Sequence, residues 1–133
     1  MRTTIPKKNI LVIDDHKSIR FLLGSMLGKQ YAVTTKRDGI EGMAWMSRGN
    51  IPDLILLDMQ MPRLGGSDFL RSLKTSGFFR NIPVIVVSGN EGDSDILQCK
   101  ELGAKDYLRK PFNPVQLQES ISSVFGGHDY TIN

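Results

Sequence analysis

Three short apolar runs constrain the fold of this chain more than any other feature. They are residues 10–13 (Ile-Leu-Val-Ile), 54–57 (Leu-Ile-Leu-Leu) and 84–87 (Val-Ile-Val-Val). Each is nearly continuous and ends at polar residues. A run this short cannot make a buried helix, and it shows no polar alternation. It reads as a strand covered on both faces, the habit of parallel sheets. Residues 31–35 and 104–108 are weaker, more polar candidates for two further strands. Helical periodicity fills the gaps. Ile19, Leu22, Leu23, Met26 and Leu27 recur at three and four. Asp38 is placed to cap a second helix, with Ile40, Ala44 and Met43 expected inward. Phe69, Leu70 and Leu73 mark a third helix. Ile96, Leu97 and Cys99 or Lys100 mark a fourth, stopped by Gly103. Asn113 and Pro114 open a fifth, with Leu117, Ile121, Val124 and Phe125 inward. Strand-helix repeated five times predicts a three-layer α/β sandwich around a parallel sheet.

At 133 residues the chain suits one domain. Apolar content of 40% and charged content of 23% fit a soluble globular protein, and no run is long enough to span a membrane. The amino-terminal residues lack the apolar stretch of a secretory signal, so a cytoplasmic location is expected. The single Cys99 reads as a small buried side chain. His16 and His128 lie far apart in sequence, and no zinc cluster can be assembled from them and Cys99. The formal charge of +3 is spread along the chain, and no helix carries a dense basic face, so nucleic-acid binding is not expected.

Polar residues at the strand ends carry the chemistry. Asp14 and Asp15 close the first run and Asp58 closes the third. Ser88 follows the fourth strand, and Lys110 with Pro111 follows the fifth. A parallel sheet gathers its strand C-termini along one edge, where ligands bind. Each residue also has a local reading. Asp14 and Asp15 could cap a helix, Asp58 and Ser88 could serve turns, and Lys110 could be a surface lysine. Their convergence on one edge favours a site. Clustered carboxylates repel unless a cation or proton intervenes, and Mg2+ takes carboxylate and phosphate oxygens. A carboxylate can attack phosphorus to give an acyl phosphate. A metal, an ammonium and a hydroxyl can then neutralise the transferring group.

Leu11-Val12-Ile13-Asp14-Asp15, Asp58-Met59-Gln60-Met61-Pro62 with Gly65-Gly66, Val86-Val87-Ser88-Gly89 and Lys110-Pro111-Phe112 occur in that order. Together they resemble the receiver domains of bacterial two-component response regulators, over residues 8–125. The resemblance implies a flavodoxin-like (βα)5 fold with strand order 2-1-3-4-5, an extension at 1–7 and a tail at 126–133. It implies Asp58 as phosphoacceptor. It gives Asp14, Asp15, Asp58 and the Gln60 backbone carbonyl to Mg2+, or alternatively Mn2+. Ser88 and Lys110 would contact the phosphoryl group, Ser88 and Tyr107 would form the switch, and the Lys110-Pro111 bond would be cis. Gln60 and Asn90 would flank the phosphoryl group and set its lifetime. Gly89 departs from the alanine frequent at its position.

The implied partners are a histidine kinase or histidine phosphotransfer protein, and a downstream target or output domain outside this chain. A monomer or a phosphorylation-dependent dimer is expected. The chain would not be an enzyme beyond self-catalysed phosphotransfer and autodephosphorylation. The signal would leave through the fourth helix, fifth strand and fifth helix. The competing reading is a pseudo-receiver, a constitutive interaction module without phosphorylation. A flavin-binding domain of the same fold leaves the carboxylates and Lys110 unexplained. Trp45 reads as packing, and the turn at Phe78 and Phe79 as exposed aromatic surface open to docking.

Overall fold

The computed structural model describes residues 6–89 and 92–126. Along them run β1 (Asn9–Ile13), α1 (Lys17–Leu27), β2 (Ala32–Lys36), α2 (Gly39–Ser47), β3 (Leu54–Leu57), α3 (Gly66–Thr75), β4 (Val84–Ser88), α4 (Asp93–Glu101), β5 (Asp106–Arg109) and α5 (Pro114–Val124). The five strands form one parallel sheet in the order β2-β1-β3-β4-β5. This is the flavodoxin-like (βα)5 arrangement. The expected tail from residue 127 onward, the extension up to residue 5, and Asn90 lie outside the described residues. Among the described residues no helix is long and apolar enough to cross a membrane.

Side chains alternate across a strand, and here each alternate set builds its own core. Leu11, Ile13, Ile55, Leu57, Val84 and Val86 pack under Met46, Phe69, Leu70, Leu73 and Cys99. Ile10, Val12, Leu54, Leu56, Ile85 and Val87 pack on the other face under Leu23, Leu27, Leu117 and Ile121. The central strands therefore need apolar residues through 10–13, 54–57 and 84–87, which is the unbroken pattern of their sequence. Trp45 packs against the first core, while Phe78 is 88% exposed.

Three helices present some residues differently from the expected faces. In α2, Ile40 and Ala44 face solvent, Gly42 and Met46 face the sheet, and Gly39 is buried against Leu64. The cause is a close approach. A Cβ on Gly42 would stand 2.6 Å from the Ile13 Cδ1, so the helix lies on its glycine face. In α1 and α4, Leu22 and Leu97 were expected inward but are 47% and 57% exposed. The contacts of α1 fall to Ile19, Leu23, Met26 and Leu27, and Cys99 is the residue of α4 that is fully buried.

The helix ends follow local chemistry. The Asp38 carboxylate accepts from the Glu41 backbone N–H at 2.9 Å. Gly103 follows α4 with φ of +103°, a conformation suited to glycine. Asn113 Oδ1 accepts from the backbone N–H groups of Val115 at 2.8 Å and Gln116 at 3.2 Å, ahead of Pro114. Asn113→Ala removes both bonds and should cost about 1 kcal/mol. Urea unfolding checks this: the midpoint falls and the slope stays unchanged.

Candidate functional site

The register brings the strand ends level. Ile13 pairs with Leu57, Leu57 with Val86, and Ser88 with Arg109. The residues just beyond these ends therefore share one edge. The Asp14 backbone N–H donates to the Lys36 carbonyl at 3.1 Å, and that of Asp58 to the Ile13 carbonyl at 2.9 Å. These bonds carry the ladder past the strands and fix where both carboxylates emerge.

Asp14 and Asp58 are each only 2% exposed. Buried charges need partners, and Asp14 has them. Its Oδ1 accepts from the His16 backbone N–H at 2.9 Å, and its Oδ2 from Lys110 Nζ at 2.7 Å. Arg20 adds a bond at 2.9 Å to the Asp14 carbonyl. Asp58 is satisfied on one side only. Its Oδ1 accepts from Ser88 Oγ at 2.8 Å and from the Gln60 N–H at 3.3 Å. Its Oδ2 is buried without a hydrogen-bond partner, the one such side-chain atom among the described residues. Lys110 Nζ lies 3.8 Å from that oxygen, an ion-pair distance longer than a hydrogen bond. Burial pushes the Asp58 carboxyl above the usual carboxylate range. The Ser88 hydrogen bond opposes that push, and the charge of Asp14 adds to it.

Sequence reasoning passed over one member of this group. His16 Nδ1 lies 2.9 Å from Asp14, 3.3 Å from Asp15 and 3.9 Å from Asp58. Its only sequence signal is its place, directly after the acids that close β1. The resemblance puts Lys110 against Asp58, whereas its shorter contact is to Asp14. Ser88 already holds Asp58 Oδ1 and also accepts from the Met59 N–H at 3.2 Å. The Lys110-Pro111 peptide is cis. Gln60 lines the same cleft as Asp58, Ser88 and Lys110. Tyr107 lies away from it, half-buried beside a groove lined by Ile96, Lys100, Arg109, Gln116 and Glu119.

Asp14, Asp15, Asp58 and His16 each offer a donor atom, and these atoms all lie within 4.8 Å of one another. Three carboxylates against one close lysine leave negative charge in excess, and Asp58 Oδ2 lacks a donor. Both features fit a divalent cation. The fold and this edge define a flavodoxin-like domain with an acidic, cation-ready pocket at the strand C-termini.

The model of the response regulator receiver domain matches residues 10–122, and the chain belongs to that family. It is 37% identical over 116 residues to the response regulator PleD of Caulobacter vibrioides, covering 86% of this chain and 25% of PleD. The chain thus spans about a quarter of that relative's length. It is 34% identical over 119 residues to protein PilH of Pseudomonas aeruginosa, covering 89% of this chain and 98% of PilH. Among solved structures it resembles the chemotaxis protein CheY4 of Vibrio cholerae, with TM-score 0.81 and 28% identity over 89% of this chain and 98% of that one. The receiver domain of a Pseudomonas aeruginosa sensor histidine kinase, solved with magnesium in its active-site cleft, gives TM-score 0.81 and 30% identity over 90% of this chain and 98% of that one.

Proposed function

We propose that residues 8–125 form a cytoplasmic phosphorylation switch that takes a phosphoryl group from a phosphohistidine donor onto Asp58. The observation that carries this reading is Asp58 Oδ2, a buried carboxylate oxygen with no hydrogen-bond donor, facing a cleft with Lys110 beside it. Such a carboxylate is held at the cleft with one oxygen short of a donor, open to a cation, and as a carboxylate it can attack phosphorus. Its bond to phosphorus forms as the phosphorus–nitrogen bond of the donor breaks, and the imidazole leaves. Asp14, Asp15, Asp58 and the Gln60 carbonyl would hold Mg2+, which when bound neutralises charge on the phosphoryl oxygens.

The protein groups then have distinct tasks. Lys110 can turn from Asp14 to the new phosphoryl oxygens. Ser88 can exchange the carboxylate for a phosphoryl oxygen, which draws the end of β4 toward the site. Tyr107 pairs with Val86 across the β4–β5 ladder and reads that movement. The response leaves through the face of α4, β5 and α5, toward a target or output domain outside this chain, by a monomer or a phosphorylation-dependent dimer. The only covalent change is on the protein itself, so the chain is a substrate of the relay rather than a turnover enzyme.

Acetyl phosphate with Mg2+ tests this. Intact mass should rise by one phosphoryl group, and chelation of the metal should suppress the gain. No gain from acetyl phosphate or from any of the host's phosphohistidine donors would leave the pseudo-receiver as the better description. Gln60 stands at the cleft mouth. Gln60→Ala should keep phosphoryl incorporation and change the half-life of the product, followed by mass after donor removal. An unchanged half-life removes Gln60 from the control of lifetime.

A further inference from the structure

We propose that His16 makes this pocket a mixed nitrogen–oxygen cation site that selects divalent transition ions, such as Co2+ or Zn2+, over Mg2+. The inference deepens the proposed function and rests on its acidic pocket. His16 is the N-cap residue of α1, yet its side chain makes no capping hydrogen bond. The ring turns back over the acids instead. Its Nδ1 stands 2.9 Å from Asp14 Oδ1, 3.3 Å from Asp15 Oδ1 and 3.9 Å from Asp58 Oδ2. Atoms bonded to one ion at about 2.0–2.2 Å stand roughly 3–4 Å from each other. The imidazole nitrogen therefore stands from each of three carboxylate oxygens as two ligands of one ion do, and one donor atom from each of the four residues lies within 4.8 Å of the others. An independent observation points the same way: Asp58 Oδ2, from a side chain only 2% exposed, has no hydrogen-bond partner there.

The donor set decides which ion gains. Mg2+ favours oxygen ligands and keeps its waters, so an imidazole adds little to its binding. Zn2+, Co2+, Ni2+ and Cu2+ bind imidazole well, with affinity for such sites rising along the divalent series to copper. His16 thus adds affinity for one group of ions and almost none for the other. The metal occupying the pocket would then follow the balance of free Mg2+ against free transition ion. The His16 side chain is 58% exposed at the cleft rim, so its replacement leaves both cores untouched.

Calorimetric titrations with Mg2+ and with Co2+ on the full chain test the proposal. The chain carries His128→Gln to remove its other imidazole, with and without His16→Gln. With His16 present, Co2+ should bind more tightly than Mg2+. His16→Gln should raise the Co2+ Kd about tenfold and leave the Mg2+ Kd within about twofold. The visible absorption of bound Co2+ should shift in the same variant, because a nitrogen ligand is lost. Equal effects on both ions, no effect on Co2+, or an unmoved Co2+ spectrum would each overturn the role of His16. Mg2+-dependent phosphoryl uptake by the native chain, measured separately, stands if only His16 fails. Loss of both Mg2+ binding and uptake removes the pocket reading itself.

Discussion

Asp58→Asn should take up no phosphoryl group from any donor, and in chelator at neutral pH it should melt above the native chain. The first effect is absolute, because an amide in place of Oδ2 is no nucleophile. The second follows from the electrostatics. The folded state raises the Asp58 carboxyl above its ordinary range, chiefly by burial and further by Asp14. A carboxyl raised in this way costs the fold stability wherever it is ionised, which is at pH above its folded value. As pH falls through that value the fold takes up a proton and recovers the loss. The gap between Asp58→Asn and the native chain should therefore be widest near neutral pH. It should close as pH falls through the raised value toward the ordinary carboxylate range. The amide oxygen keeps the roles of Oδ1, accepting from Ser88 and Gln60, so little is lost in exchange. About 1 kcal/mol corresponds to roughly 2–8 °C of Tm across small and mid-sized domains. Calorimetric melting from pH 4 to 8 in chelator checks the sign. A variant less stable than the native chain at pH 7 would show that Lys110 already compensates Asp58.

The same physics explains what could be read before the structure. The central strands were legible because both faces are covered, which leaves no position for a polar residue. Asp14 and Asp58 were legible because burial excludes charge without a task, and Asp15, exposed at the rim, through its place beside Asp14. The faces of α1 and α2 were less so. Periodicity counts bulky residues, and in α2 the contact surface is Gly42, whose missing side chain lets Ile13 approach. His16 was illegible for a different reason. A lone histidine after a strand has no pattern of its own, and its meaning comes from Asp58, 42 positions away, brought beside it by the β1–β3 register. Likewise the stronger bond of Lys110 to Asp14 depends on a difference of about one ångström between two carboxylates, which no motif encodes.

Gly66→Ala should unsettle fold and site together, although it adds a single methyl group. A Cβ there would lie 2.5 Å from Met59 Cα and 2.8 Å from the Asp58 backbone oxygen. Both are main-chain atoms, and neither can rotate away as a flexible side-chain end can. The Gly66 N–H also donates to the Met59 carbonyl at 3.0 Å, which ties the start of α3 to the loop after β3. The methyl must push that start away from the Asp58-Met59 backbone. Overpacking of this kind costs about 1–3 kcal/mol. The displaced loop also bears Met59 and Gln60, whose N–H groups hold Ser88 Oγ and Asp58 Oδ1. Acetyl phosphate uptake should therefore slow more than the fraction of unfolded protein explains. Gly24→Ala is the matched control. It lies within α1 with nothing within 4 Å of the added Cβ. Alanine there should stabilise by about 0.4–1 kcal/mol and leave uptake unchanged. Urea unfolding and uptake rates on the two variants separate the cases. Equal stability in Gly66→Ala and Gly24→Ala would mean that α3 is free to move off the loop after β3.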